Sequence, residues 1–233
     1  MSRSYSKVVM NNSVEKLKQL IEKSGFAATS NKIVDAIVIH GVAGSGKSTL
    51  TRELAKDNNF NIVNALSNEE FNLEGQYIKR DLITFSNKVN VLDEYLSVDC
   101  QKGFQVLLAD PFQYEKVPLL ANYIKKVSHR FKKELLPILS EIGIEIEAEK
   151  EGLKIIRGSA YEIEPKGKVI TTEEQVAKYV SNHGLNVCYP SCVQGQEFDT
   201  VTFYHHKDLK ELKRSELYVA LTRVREELLI LQL

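Results

Sequence analysis

The sequence has little cysteine, no surplus of charge and no long apolar run. Its three cysteines, Cys100, Cys188 and Cys192, are an odd number in 233 residues, which argues against a disulfide framework and favours a reducing compartment. Lysine plus arginine and aspartate plus glutamate both number 31, so no overall field draws the chain to nucleic acid or membrane. No segment has the apolar length of a signal-peptide core or a membrane span, and we expect no direct membrane insertion.

What the chain does have is an alternation of apolar strand-like runs and helical stripes, typical of an α/β fold with mostly parallel sheets. We predict two halves, residues 31–127 and 128–233, after an N-terminal helical extension at 1–30. Helices are expected at 14–21, 47–57 and 209–223, and from a capping box at Thr171–Glu174 to Gly184. Strands are expected at 33–39, 61–65, 89–92, 104–109, 185–189, 199–204 and 227–232.

A glycine-rich segment lies between the first predicted strand and the helix that follows it. Its sequence, Gly41-Val42-Ala43-Gly44-Ser45-Gly46-Lys47-Ser48, matches the phosphate-binding pattern G-x-x-x-x-G-K-[ST]. Backbone N–H groups at a helix N-terminus favour anions, and glycines let the chain wrap a phosphate closely. We therefore expect residues 41–48 and Thr49 to bind ATP, with Lys47 reaching the β- and γ-phosphates and Ser48 ligating Mg²⁺.

Two later strands end at acidic residues, which places polar chemistry at the carboxyl edge of a parallel sheet. The first is followed by Asp93 and Glu94. We expect Asp93 to hold Mg²⁺ and Glu94 to orient and deprotonate an attacking water. The second is followed by Asp110, and Gln113 comes three positions later. The neutral amide of Gln113 could hydrogen-bond the γ-phosphate or that water, although an ordinary Asp-Pro turn fits this pattern equally well.

Two further motifs make the set recognisable: QGQEF at 194–198 and ALTR at 220–223. With the glycine-rich segment, Asp93–Glu94 and ADPFQ at 109–113, they resemble motifs I, II, III, V and VI of superfamily 1 RNA helicases, in that order. Residues 128–130 resemble motif IV, and Ala65–Ser67 is a candidate for motif Ia. Ala109 replaces the usual glycine of motif III. This form is similar to the triple-gene-block helicase-like movement proteins of filamentous plant RNA viruses, in the potexvirus-like branch.

The resemblance implies two RecA-like P-loop NTPase domains with the nucleotide in the cleft between them. By position, Arg130 and Arg223 would contact the γ-phosphate as arginine fingers, a role that suits the planar guanidinium. Glu197 would contact the ribose or brace the cleft. Gln194 and Gly195 would lie near the RNA backbone.

The same resemblance implies an ATP-dependent RNA helicase-like NTPase that promotes cell-to-cell transport of viral RNA through plasmodesmata and suppresses host RNA silencing. The implied partners are single-stranded viral RNA, viral coat protein or virion, the other triple-gene-block movement proteins, host silencing factors and further copies of the chain. The implied location is the host cell cytoplasm, with plasmodesmata or viral inclusions.

Nucleic-acid binding is less visible in the residues themselves. The segment from Tyr123 to Lys133 mixes basic and aromatic side chains, as single-stranded RNA sites do, but an exposed helix face balancing the acidic run at 141–151 fits equally well. Two other functions remain open. One is a non-enzymatic RNA-binding scaffold with a helicase fold. The other is a small-molecule P-loop kinase, which leaves QGQEF and ALTR unexplained.

Overall fold

The computed structural model describes residues 2–66, 70–71, 77–78 and 81–233, so Ser67 of the candidate motif Ia lies outside the described residues. The chain divides into two compact units. The first contains the residues up to Pro111 together with Lys116–Lys125, and the second contains Phe112–Glu115 together with Lys126–Leu233. The sequence placed a single boundary between residues 127 and 128, whereas the chain enters the second unit first for four residues and then again at Lys126.

The first unit is built on a six-stranded sheet whose order is β1-β8-β2-β7-β6-β3. All neighbours in it are parallel except β1 and β8, and β4 and β5 form a separate antiparallel pair. The elements are α1 (Ser2–Lys23), β1 (Ala27–Ala28), β2 (Ile37–Gly41), α2 (Lys47–Ala55), β3 (Phe60–Asn64), β4 (Glu70–Phe71), β5 (Tyr77–Ile78), β6 (Val89–Asp93), β7 (Val106–Ala109) and β8 (Tyr123–Lys125).

The central strands of this sheet are buried on both faces, which explains why they are continuous apolar runs in the sequence. Ile39 of β2, for example, is fully buried and is paired with Leu108 of β7 and Tyr123 of β8. The helix α1 packs on the same core, because Leu17 and Ile21 are both 0% exposed and cluster with the core residues of α2. The segment predicted as an extension is therefore part of the first unit's core.

The second unit is built on a five-stranded, fully parallel sheet whose order is β11-β15-β14-β12-β13. A separate parallel pair is formed by β9 and β10. The elements are β9 (Val127–Lys132), α3 (Leu136–Glu141), β10 (Glu147–Lys150), β11 (Lys154–Ser159), β12 (Lys168–Thr171), α4 (Glu174–Asn182), β13 (Val187–Cys188), β14 (Phe198–His205), α5 (Arg214–Leu221) and β15 (Val224–Gln232). Among the described residues, no helix has the length and apolar character needed to cross a membrane.

The strands and the helix predicted around the glycine-rich segment correspond to β2, α2, β6 and β7. The helix predicted at 209–223 is shorter, because α5 covers only Arg214–Leu221. Two further local predictions are wrong. The first concerns the helix α4, whose cap residue Glu173 makes no side-chain capping bond; the hydroxyl of Thr171 accepts instead from the Glu173 N–H at 3.2 Å. The second is the alternative of a helix face in the basic segment at 123–133. That segment forms β8 and β9, with Phe131 fully buried.

We predict that Leu17→Ala lowers the free energy of unfolding of the protein by about 3 kcal/mol, because it leaves a cavity in a closed core. Urea unfolding followed by circular dichroism measures this loss. Gln19→Ala, on the exposed side of the same helix, is the matched control and should change stability by less than about 0.5 kcal/mol. Equal, small effects from the two substitutions would show that α1 is a dispensable extension.

Candidate nucleotide-binding site

The glycine-rich segment forms a tight loop between β2 and α2. Gly44 and Gly46 have φ angles of 75° and 99°, in the left-handed region that only glycine adopts at little cost. Gly46 caps α2, so the loop delivers the chain directly to the helix N-terminus, where backbone N–H groups lack intrahelical partners. A Cβ atom on Gly41 would clash with the Ser45 hydroxyl. Position 41 therefore favours glycine, because a larger residue would have to displace the Ser45 side chain and would press on the Phe26 ring.

The ammonium group of Lys47 lies inside this loop. Its Nζ donates to the carbonyl oxygen of Gly41 at 2.7 Å and to that of Val42 at 3.4 Å, and the residue is 7% exposed. The Ser45 hydroxyl beside it is buried and has no hydrogen-bond partner in the part of the chain that the structure describes. A cation and an unpaired hydroxyl beside a helix N-terminus fit a bound phosphate group. Ser48 and Thr49 are exposed.

The carboxyl ends of β6 and β7 lie at the same edge of the sheet as this loop. The side chain of Asp93 is held by two hydrogen bonds, because Oδ2 accepts from Asn64 Nδ2 at 3.1 Å and Oδ1 accepts from the Glu94 N–H at 3.1 Å. Asp93 is 2% exposed, and Asp110, which follows β7, is fully buried. The strand order β2-β7-β6 thus brings the loop, Asp110 and Asp93 together, as the sequence predicted.

Glu94 adopts a conformation that is rare for its residue type. Its φ and ψ angles are 59° and 42°, in the left-handed region, which costs a non-glycine residue of the order of 1 kcal/mol. Ser97 stabilises this turn, because its N–H and its hydroxyl both donate to the Glu94 carbonyl oxygen, at 2.9 and 2.7 Å. The turn directs the chain away from the strand immediately after Asp93. The two adjacent acids therefore differ in backbone conformation, because Asp93 is the last residue of the strand and Glu94 is left-handed.

A histidine and a tyrosine connect the glycine-rich loop with the Asp93–Glu94 pair. His40 Nε2 lies 3.0 Å from the Tyr95 hydroxyl, and the two rings are stacked. Burial, and secondarily the positive charge of Lys47, lowers the pKa of His40 from 6.5 to about 4. The Leu119 N–H donates to the Tyr95 hydroxyl at 3.0 Å. The hydroxyl proton is then free to be donated to neutral His40. The residue before the glycine-rich loop is thereby bonded to the residue after Glu94.

In the second unit, Arg130 and Glu197 form an ion pair. Arg130 Nε lies 2.5 Å from Glu197 Oε1, and Arg225 Nε lies 3.0 Å from Glu197 Oε2. Arg223 is only 1% exposed, and its guanidinium donates to the Val219 carbonyl at 3.0 Å and to the Thr222 hydroxyl at 3.0 Å. The resemblance assigned Arg130 and Arg223 to the same role, but the two side chains differ in exposure. Arg130 is partly exposed, whereas Arg223 lies against its own helix.

Gln113 lies beside QGQEF in the second unit. Its Oε1 accepts from Gln194 Nε2 at 3.1 Å. The neighbouring residues of the same short segment are also held there: the Phe112 ring packs against Tyr218, with ring centroids 5.6 Å apart, and the Glu115 carboxylate accepts from the Ser215 hydroxyl. Motif III thus ends as part of the second unit, where Gln194 contacts it.

The basic side chains of the segment at 123–133 are largely bonded to oxygens of the protein. Lys125 Nζ donates to the Ser24 carbonyl at 2.9 Å, and Lys132 Nζ donates to that of Gly152 at 3.1 Å. Lys133 pairs with Glu151 at 2.5 Å. Lys126 is exposed, and no side-chain bond to it occurs among the described residues. Of the three bonded lysines, Lys133 balances the acidic run, whereas Lys125 and Lys132 are bonded to backbone carbonyl oxygens.

Residues 37–232 match the model of the viral superfamily 1 RNA helicase core domain. The chain belongs to this family. It is 37% identical to the movement and silencing protein TGBp1 of Apple stem pitting virus (isolate PA66), over 93% of this chain and 99% of that protein. It is 31% identical to the protein of the same name from Papaya mosaic potexvirus, over 91% of this chain and 92% of the relative. The expected resemblance to these movement proteins is confirmed.

Solved structures of viral helicases share the fold. A DNA complex of the arterivirus nonstructural protein 10 helicase matches with a TM-score of 0.60 at 18% identity, covering 84% of this chain and 60% of that one. The PRRSV helicase matches with a TM-score of 0.57 at 17% identity, covering 86% of this chain and 53% of that one. The chain therefore spans little more than half the length of these helicases. At such low identity the likeness shows an α/β helicase fold and nothing finer.

Sequence reasoning missed His40 and Tyr95 in the first unit and Arg225 in the second. His40 directly precedes the glycine-rich loop, and Tyr95 directly follows Glu94. These positions could have identified both residues from the sequence. For Arg225, the only indication in the sequence was its closeness to Arg223. Its pairing with Glu197, 28 positions away, depends on the neighbouring strands β14 and β15 and could not be seen in the sequence.

We predict that His40 makes the protein acid-sensitive. In the unfolded chain His40 binds a proton near pH 6.5, but in the folded protein only near pH 4, so the unfolded state binds more protons between these values and stability falls as pH decreases. From pH 7 to pH 4.5 the contribution is about 2 kcal/mol. Urea unfolding at both pH values should show this loss in wild type and a smaller loss in His40→Gln. An equal loss in both proteins would contradict the assignment.

Proposed function

We propose that the protein is a Mg²⁺-dependent ATPase that acts on single-stranded RNA. The observation that carries this proposal is the loop that closes around Gly41 and Lys47 at the sheet edge where Asp93 and Glu94 also lie. Membership of the helicase family supports it. The two units would be RecA-like domains that bind the nucleotide between them, the arrangement that the motif order predicts.

The loop residues would hold the phosphates of ATP. Residues 41–49 supply backbone N–H groups, and Lys47 would exchange the carbonyl oxygens of Gly41 and Val42 for the β- and γ-phosphate oxygens. Ser48 and Asp93 would hold Mg²⁺, which neutralises charge that grows on the phosphate oxygens. A magnesium ion of this kind needs only one or two protein oxygens, because water and phosphate complete its coordination.

Glu94 would orient the attacking water and accept its proton. Its left-handed backbone fixes the direction in which the carboxylate leaves the strand, and Ser97 holds that backbone in place. Asp93 suits the metal, because its carboxylate is buried and is held in place by Asn64 and by the Glu94 N–H. The two neighbouring acids thus divide metal binding and base catalysis between them.

The second unit would supply positive charge to the γ-phosphate. Arg130 is the better candidate for direct contact, because its side chain is 24% exposed whereas Arg223 is almost fully buried. Arg223 would not contact the γ-phosphate itself, and its positive charge would act on the nearby Glu197 carboxylate. Gln113, through Gln194, would report the state of the γ-phosphate to the QGQEF loop, with Gln194 and Gly195 near the RNA backbone.

The biological role that we propose is the movement of viral RNA from cell to cell and the suppression of host RNA silencing. Two relatives named as movement and silencing proteins are matched over almost their entire length, which supports a shared role. The proposed setting is the host cytoplasm, plasmodesmata and viral inclusions. The proposed partners are viral RNA, coat protein or virion, the other triple-gene-block proteins, host silencing factors and further copies of the chain.

We predict that Lys47→Ala reduces steady-state ATP hydrolysis to less than about a tenth of wild type, since removing the positive charge beside the phosphates raises the barrier by several kcal/mol. Glu94→Gln should keep nucleotide affinity but slow turnover about 100-fold or more, whereas Asp93→Asn should lose Mg²⁺-dependent binding. Hydrolysis with and without single-stranded RNA, together with thermal melting of each variant, is the measurement.

Lys56→Ala, just after α2 and paired with the exposed Glu53, is the matched control and should hydrolyse ATP normally. Phosphorylation of an added nucleoside in place of hydrolysis would indicate a kinase. Normal movement of viral RNA with a hydrolysis-dead Lys47→Ala protein would indicate that the fold serves as a scaffold.

We predict that RNA binding weakens with salt, and that Lys126 alone accounts for the contribution of the segment at 123–133. Each RNA phosphate that a variant no longer binds should flatten the slope of log affinity against log salt by about 0.7 for single-stranded RNA. Lys126→Ala and the fourfold variant that also changes Lys125, Lys132 and Lys133 to alanine should therefore give the same slope. A much flatter slope in the fourfold variant would show that the three bonded lysines open to bind RNA.

A further inference from the structure

The carboxylate of Glu197 lies between guanidinium groups in the second unit. One oxygen pairs with Arg130 at 2.5 Å and the other with Arg225 at 3.0 Å. The side chains of Arg130 and Glu197 are about one quarter exposed, at 24% and 25%, whereas that of Arg225 is 56% exposed. Both oxygens of Glu197 are thus engaged by protein cations.

The charges around Glu197 do not cancel. Burial raises the pKa of this carboxyl group, but Arg130, Arg225 and Arg223 outweigh burial and hold the pKa below its ordinary value. Glu197 is therefore ionised at neutral pH. Together with Asp199, whose carboxylate lies 3.9 Å from the guanidinium of Arg225, it sets two negative charges against three guanidinium groups. The excess of one positive charge attracts a further anion, which would compete with Glu197 for Arg130.

The three side chains are attached to the fold in different ways. Glu197 directly precedes β14, and Arg225 lies in β15. These two strands are paired, and the Phe198 N–H donates to the Arg223 carbonyl at 2.8 Å where they begin. Arg130 comes from β9, which belongs to the separate pair with β10. The bond between Glu197 and Arg225 is therefore built into one sheet, whereas the bond between Glu197 and Arg130 joins two separate sheets.

We propose that Glu197 is a positioning residue that holds Arg130 until the γ-phosphate of ATP replaces the carboxylate, and that Arg225 keeps Glu197 neutralised after Arg130 has left. This inference rests on the proposed ATPase function. It makes the Glu197 carboxylate a competitor of the γ-phosphate, so that it lowers the affinity for ATP without affecting that for ADP.

The role of Arg225 follows from the cost of an unpaired carboxylate. Separating a partly buried ion pair is unfavourable because the remaining charge loses its partner. Arg225, already bonded to the second oxygen, reduces this cost when Arg130 leaves. Loss of Glu197 and loss of Arg225 should then have opposite effects on triphosphate binding, which a simple loss of structure would not produce.

The experiment compares the affinities of the full-length protein for Mg²⁺–ADP and for a Mg²⁺-bound non-hydrolysable ATP analogue by titration calorimetry. In Glu197→Gln, the ratio of analogue affinity to ADP affinity should rise about threefold to tenfold, the scale of a partly exposed ion pair. In Arg225→Gln the ratio should fall by a similar factor, and Arg225→Lys should restore it by keeping the charge. Glu227→Gln is the matched control, because Glu227 is also a partly buried carboxylate on β15, paired with Lys154 at 2.5 Å.

Several outcomes would overturn the inference. Equal weakening of ADP and analogue binding in Glu197→Gln would assign Glu197 to the ribose, as the family resemblance predicts. A lower ratio in both Glu197→Gln and Arg225→Gln would show that the cluster is only structural, as would an unchanged ratio in both. Failure of wild type to bind either nucleotide would instead refute the proposed function itself, so the two failures are distinguishable.

Discussion

The site depends on one constraint, the parallel alignment of β2, β7 and β6. Because parallel neighbours end at the same edge, the glycine-rich loop, Asp110 and Asp93 meet there. The strands that achieve this are buried on both faces, and the buried carboxylate of Asp93 is tolerated because Asn64 and the backbone of Glu94 hydrogen-bond it. Apolar packing thus fixes the position of the charges.

In the second unit, the charged side chains lie at the opposite ends of the parallel strands. Glu197 immediately precedes β14, and Arg223 immediately precedes β15, so this cluster lies at the amino ends of the strands. The bond between the Phe198 N–H and the Arg223 carbonyl fixes these two entry points. The first unit places the glycine-rich loop and two aspartates where strands end, and the second places guanidinium groups where strands begin. A parallel sheet therefore positions the N–H groups of the glycine-rich loop in the first unit and the guanidinium groups in the second.

Much of the first unit's site could be predicted from the sequence because it is local. A glycine at φ 99° next to a helix N-terminus is specified by Gly46 and its neighbours alone. The second unit was less predictable, since the setting of a residue there depends on distant strands. Nothing near Arg223 in the sequence shows that it is buried, and nothing near Lys132 shows that the Gly152 carbonyl accepts a hydrogen bond from it. The basic segment could be taken for an exposed helix face, because the strand that pairs with β9 is not recognisable in the sequence. That strand, β10, is itself mostly charged and does not form an apolar run.

The short excursion of Phe112–Glu115 into the second unit has a consequence for the modularity of the protein. The chain passes from one unit to the other three times, after Pro111, after Glu115 and after Lys125. A fragment that begins at Lys126 would lack the ring that packs on Tyr218 and the carboxylate that binds Ser215 at the start of α5. The second unit therefore cannot be exchanged between related proteins by a single crossover, and a functional chimera must carry these four residues along with it.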